Sequence, residues 1–150
     1  MNYWLVKSEP FVYSFDQLLL DGQTRWDGVR NYQARNFMRA MAVGDLVVIY
    51  HSNAEPSGIA GLAEVARTAY PDHTAWDAAS PYHDPKDGPA IARWSMVDVR
   101  FVAEAKRFLP LDQLRAEPQL ADMLLFSLSR LSVQPVEDRH LAWIRSAAGM

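Results

Sequence analysis

The polar and apolar positions divide the chain into short elements of both periods. Tyr3-Trp4-Leu5-Val6-Lys7 reads as a strand, and Ser8-Glu9-Pro10 ends it because proline cannot extend a ladder. Ser14-Phe15-Asp16-Gln17 has the form of a capping box, and the leucines that follow predict a short helix to Gly22. Asn31 is placed to cap a second helix over Tyr32–Met41, in which Ala34, Phe37, Met38 and Met41 recur at helical spacing. Arg35 and Arg39 share another face of that helix, and Gly44 closes the segment.

Asp45 to His51 is a continuous apolar run and predicts a buried strand. A turn through Asn53–Gly58 leads into a second strand from Ile59 to about Thr68. Tyr70 to Pro89, rich in Pro and Asp, predicts a long ordered loop. Trp94 to Ala105 alternates and predicts a long strand. Helical pieces are expected at Leu111–Arg115 and Gln119–Phe126, a last strand at Ser132–Val136, and a terminal helix at Glu137–Ala148. Strands and helices intersperse without a regular βαβ period. The expectation is an α+β fold on a mixed, partly closed sheet, with residues 1–150 forming one domain.

Composition narrows the chemistry. An apolar fraction of 49% with aromatics spread along the chain argues against disorder, and the lack of Cys excludes a disulfide scaffold and thiolate chemistry. The apolar runs are much shorter than the roughly 20 residues of a membrane helix, and no signal peptide precedes the first strand, so no membrane partner and an intracellular location are expected. A net charge of −3 argues against indiscriminate tight binding to duplex nucleic acid. Yet Arg25, Arg30, Arg35 and Arg39 are opposed only by Asp27, and arginine suits forked contacts with phosphate. A solvated arginine face accounts for the same pattern.

The sequence has no G-x-S-x-G, P-loop, G-x-G-x-x-G or H-E-x-x-H, and its four histidines lack metal-ligand spacing, so neither metal nor cofactor is expected. More telling are polar residues at strand ends: Lys7 and Ser8, then His51 and Ser52 after Tyr50, then Ser132 and Gln134. Between them stands Trp26-Asp27-Gly28-Val29-Arg30-Asn31. If these ends converge, they form a shallow pocket with an aromatic wall and a floor of amides and hydroxyls, suited to a planar heterocycle. Each residue has a plainer alternative: Asn31 as a helix cap, His51 as a hydrogen-bonded structural histidine, and Trp4, Trp94 and Trp143 as core.

The blocks Trp4–Pro10, Trp26–Phe37, Tyr50–Asn53, Gly58–Gly61, Ala69–Asp72, Tyr82–Lys86, Trp94–Val99 and Arg130–Pro135 strongly resemble the EVE domain of the thymocyte nuclear protein family. The resemblance runs over nearly the whole chain. It implies a PUA-like fold, a bent mixed sheet forming a pseudobarrel with helices around it, and kinship with YTH domains, which accept a methylated adenine in an aromatic cage. It further implies binding of modified bases, notably modified cytosine. Met1 leads directly into the first strand, without the basic extension of eukaryotic relatives, which points to a compact bacterial-type module in the cytoplasm.

The expected function is therefore a non-catalytic, monomeric reader of a modified base in DNA or RNA. Trp26 would stack on the flipped base, and Ser8, Asn31, His51, Ser52, Ser132 and Gln134 would contact its edge beside Val29 and Tyr50. Lys7, Arg30 and Arg35 would meet flanking phosphates. Two alternatives use the same pocket. One is a nucleotide-metabolite binder; the other is an RNA-modification-associated enzyme with His51 or Glu9 as its acid or base.

Overall fold

A computed structural model of the chain describes residues 1–150. Six strands, β1 (Tyr3–Ser8), β2 (Gln23–Trp26), β3 (Leu46–His51), β4 (Gly58–Pro71), β5 (Ser95–Pro110) and β6 (Val133–Val136), form one mixed sheet in the order β2-β5-β4-β3-β1-β6. Only β1 and β3 run parallel; every other neighbouring pair is antiparallel. Five helices complete the molecule: α1 (Phe15–Asp21), α2 (Tyr32–Ala40), α3 (Leu111–Ala116), α4 (Leu124–Ser127) and α5 (Asp138–Ala148). The sheet has free edges at β2 and β6, so the expected pseudobarrel is an open, irregular sheet and not a closed ring. The register of β4 against β5 shifts repeatedly, as in bulged strands that bend and twist.

The two faces of the sheet explain the continuous apolar runs. Trp4 and Val6 of β1, with Val47 and Ile49 of β3, pack beneath α1 and α2. Leu5, Val48 and Tyr50, which alternate with them, pack beneath α3, α4 and α5. A strand covered on both faces has no polar side to alternate with. Phe15 fits only because Gly61 lies below it: a Cβ there would stand 2.2 Å from the ring.

The caps are set locally. Ser14 Oγ accepts from the Gln17 N–H at 3.0 Å. The reciprocal half of the capping box is missing, since the Gln17 side chain bonds Asp21. Asp45, buried at the start of β3, accepts from Asn2 N, Ala42 N and Trp4 Nε1. Burial opposes its ionisation, but these hydrogen bonds outweigh that and hold its pKa below the ordinary value.

Four elements differ from expectation, the simplest being β5, which runs on past Ala105 to Pro110. β2 was not expected; its outward Gln23 and Arg25 alternate with inward Thr24 and Trp26 along an edge strand. β4 continues to Pro71 and a 3₁₀ turn covers His73–Trp76, so the loop begins later and contains regular structure. The helical piece at Gln119–Phe126 is instead a 3₁₀ turn, Pro118–Leu120, followed by α4.

Candidate nucleic-acid interface

The ends of the parallel strands do converge. Ser52 N donates to Ser8 O and Lys7 N to Ser132 O, each at 3.0 Å, which ties the exits of β1 and β3 to the entry of β6. They open into a cleft of about 840 Å³, within the size range of small-molecule sites. The turn after β1 is fixed by Val12 N and Tyr13 N, both donating to Glu9 O at 2.9 Å, and by Ser8 Oγ, donating to Tyr13 O at 2.6 Å. That turn sets the Tyr13 ring edge-on to Trp26, with centroids 6.2 Å apart and planes at 86°.

Trp26 lines the cleft while remaining only 7% exposed and part of the core beneath α1 and α2. A second aromatic wall comes from the loop between β4 and β5. Tyr82 packs directly over Gly28, where a Cβ would lie 2.7 Å from the ring; with φ at +78°, this position requires glycine twice over. Arg30 and Asp72 hold the wall in place. Arg30 donates to Tyr82 O, Val29 O, Thr74 Oγ1 and Asp72 Oδ2, the last an ion pair of 2.9 Å. Asp72 also accepts from Gly28 N and Thr74 N. Burial works against its charge, but the bonds from Thr74, Gly28 and Arg30 keep its carboxyl below the ordinary range.

Of the expected site residues, Trp26, Ser8, Ser52, Val29, Tyr50, Ser132, Lys7 and Arg30 border the cleft; Asn31, His51, Gln134 and Arg35 do not. Asn31 Oδ1 caps α2 by accepting from Ala34 N at 2.9 Å. His51 Nε2 accepts from Phe15 N at 3.0 Å and anchors the start of α1. Gln134 is fully buried and donates to Leu131 O. Arg35 reaches Asn36 and Arg93 O instead of the cleft. The donors of Arg30 are taken up by the clasp just described. Lys7 donates to Ser129 O at 2.6 Å near the Tyr50 ring, and its burial lowers its pKa.

Sequence reasoning missed Tyr13, Tyr82, Arg115 and Arg130, which also border the cleft, and gave no site role to Asp27 or Asn53, which stand beside the residues it named. Arg115 and Arg130 are exposed, come from α3 and the turn after α4, and were too far along the chain to be grouped with Trp26. Five basic side chains (Lys7, Arg25, Arg30, Arg115, Arg130) border the cleft against two acidic ones (Glu9, Asp27), so its local charge is positive although the molecule is net negative. Burial raises the pKa of Tyr13 to about 12, helped by its bond to Asp21, and also raises those of Tyr50 and Tyr82. These phenols therefore stay protonated donors.

Outside the cleft, Asp122, Glu137 and His140 approach within ligand-sharing distance of one another. Arg139 ion-pairs with both carboxylates and His140 bonds Asp122, so this cluster carries its own counter-charge. No helix is long and apolar enough to cross a membrane.

A bent, mixed sheet with helices on both faces and an aromatic cleft at its strand ends is a PUA-like α+β architecture. The EVE domain model matches residues 2–147, and the chain belongs to the EVE-domain family. It is 43% identical to mouse thymocyte nuclear protein 1 over 164 residues, covering 97% of this chain and 73% of the relative. A hypothetical protein from Leishmania major superposes with a TM-score of 0.97 at 50% identity, covering 99% of this chain and 95% of that one. Human THYN1, solved in complex with DNA containing 5-methylcytosine, superposes with a TM-score of 0.95 at 40% identity, covering 100% and 99% of the two chains. The cytoplasmic location expected from the sequence is corrected by the mouse, human and rat relatives, each named thymocyte nuclear protein 1.

Proposed function

We propose that this chain is a non-catalytic module that reads a modified base in nucleic acid, with modified cytosine in DNA as its ligand. The observation that carries the reading is the cleft itself: indole and phenol walls, a hydroxyl-lined floor and a basic rim meeting where β1, β3 and β6 join. The complex of human THYN1 with DNA containing 5-methylcytosine supports the choice of ligand. In this reading a base enters between Trp26 and Tyr82 and meets Ser8, Ser52, Asn53 and Ser132 at its edge, with Lys7 and Tyr50 below and Val29 beside it. His51 supports a binding role over a catalytic one, because the nitrogen that would act as a base already accepts from Phe15 N.

Stacking contributes about 1–3 kcal/mol per base, while extrusion from a duplex costs a few kcal/mol. Single strands are therefore expected to bind more tightly than intact duplex. The test is anisotropy titration of labelled single strands carrying one central 5-methylcytosine or cytosine. Trp26→Ala is a poor probe, since emptying so buried a site costs about 3–5 kcal/mol of stability. Trp26→Phe and Tyr82→Ala are the informative variants, and Tyr82→Ala is expected to weaken binding of the methylated strand about tenfold. Unchanged affinity in both variants, with thermal melts showing them folded, overturns the proposal.

A further inference from the structure

Asp27 borders the cleft between Trp26 and Gly28, and the preceding reading gives its carboxylate no role. Its backbone is immobilised on both sides: Trp26 is paired with Val97 in the sheet, and Gly28 N donates to Asp72 Oδ2 at 2.9 Å. Its carboxylate is half-buried in the lining that also holds Trp26 and Tyr82 and receives no hydrogen bond from any other residue. The neighbouring acid, Asp72, has its acceptor positions filled by Gly28, Arg30 and Thr74. Glu9, the other acid of the cleft, stands on the turn after β1 and so borders the cleft from its opposite strand end. Burial and the Asp72 charge raise the pKa of Asp27, against smaller opposing effects from Arg25, its own backbone and Arg30.

We propose that Asp27 reads the exocyclic amino group of a cytosine-type base, accepting a hydrogen bond from N4 and so separating 5-methylcytosine from thymine. This rests on the reading of the cleft as a base-binding site. The two bases share the C5 methyl group and the flat ring, so stacking on Trp26 and Tyr82 and contact with Val29 treat them alike. They differ at C4, where 5-methylcytosine presents an N–H donor and thymine an oxygen acceptor, and inversely at N3, an acceptor in 5-methylcytosine and an N–H donor in thymine. With the carboxylate aimed at the C4 substituent and not at N3, the amino group supplies the missing donor, whereas the thymine oxygen sets two acceptors against each other.

The test compares single strands that differ only at one central position: 5-methylcytosine, thymine or cytosine. The wild-type chain is expected to bind the 5-methylcytosine strand at least about tenfold more tightly than the thymine strand. In Asp27→Asn the side-chain amide can turn either its oxygen or its NH₂ to the base, so that ratio is expected to fall close to one. In Asp27→Ala, 5-methylcytosine is expected to lose affinity while thymine does not. Melting curves establish that both variants are folded. If Asp27→Asn keeps the wild-type ratio between 5-methylcytosine and thymine, the role of Asp27 is overturned while the cleft reading stands. If the wild-type chain binds 5-methylcytosine no better than cytosine, the cleft reading fails, and the assignment of Asp27 with it.

Discussion

His51 Nε2 can accept from Phe15 N only while it carries no proton, so the histidine is held neutral with its proton on Nδ1. Burial lowers its pKa below 6.5, against a smaller opposing effect from Asp16. The sign follows from linkage. The unfolded chain takes up a proton at higher pH than the folded one does. This contribution to stability is therefore complete above about pH 6.5 and is lost as the pH falls toward the lowered folded value. Thermal melts from pH 7.5 to 5.5 should show the wild-type melting temperature falling more steeply than that of His51→Gln, whose amide oxygen can accept from Phe15 N at any pH. Parallel curves would show that His51 does not titrate in this range. Equal binding of the methylated strand by both proteins at pH 7.5 would agree with its position outside the cleft.

At the scale of elements, the segment between β4 and β5 turns a strand-end groove into a two-walled cleft. Asp72 is fully buried and Arg30 is 22% exposed, so their pairing lies between a surface and an interior ion pair. Asp72→Ala removes the acceptor shared by Arg30, Gly28 and Thr74 and is expected to cost about 3 kcal/mol, the low end for a broken buried pair because Arg30 keeps some solvent. Tyr82 then loses its anchor, so affinity for the methylated strand should fall along with the melting temperature. A destabilised variant with undiminished affinity would detach Tyr82 from the binding wall.

This segment also marks where the sequence was legible and where it was not. Helices α1 and α2 and strands β1 and β3 are written in local signals: a cap at Ser14 or Asn31, helical spacing through Met38, an apolar run from Leu46 to Tyr50. The convergence of Ser8, Ser52 and Ser132 was likewise implied by polar residues at strand ends. Strand β2 has one buried side chain among four residues, too little alternation to register, although Thr24 and Trp26 share its inner face. Tyr82 becomes a wall only through Gly28 and the Arg30–Asp72 clasp, contacts across more than forty residues that no local pattern carries. Asn31, Arg35 and Gln134 lie near the cleft along the chain, but their side chains bond elsewhere: Asn31 to Ala34 N, Arg35 to Asn36 and Arg93 O, and Gln134 to Leu131 O. A polar residue at a strand end is thus informative about place, while its hydrogen-bond partner decides its use.

Over the whole molecule, a net charge of −3 coexists with a cleft bordered by five basic side chains and two acidic ones. The surface away from the cleft must then be acidic, which disfavours binding a polyanion anywhere else and concentrates attraction at one mouth. Arg115 and Arg130 project there from the helical layer opposite α1 and α2, exposed and without partners of their own, unlike Arg30 and Arg35. Two such contacts release counterions from a single strand with a slope of about −0.7 each in log affinity against log salt. Replacing both arginines by Ala should flatten the measured slope by about 1.4 and weaken methylated and unmethylated strands equally, because phosphate contacts position a strand while base contacts specify it. If the slope is unchanged, the phosphates run elsewhere. If the preference for 5-methylcytosine shifts instead, the rim takes part in reading the base, and the separation between a charged mouth and a discriminating floor does not hold.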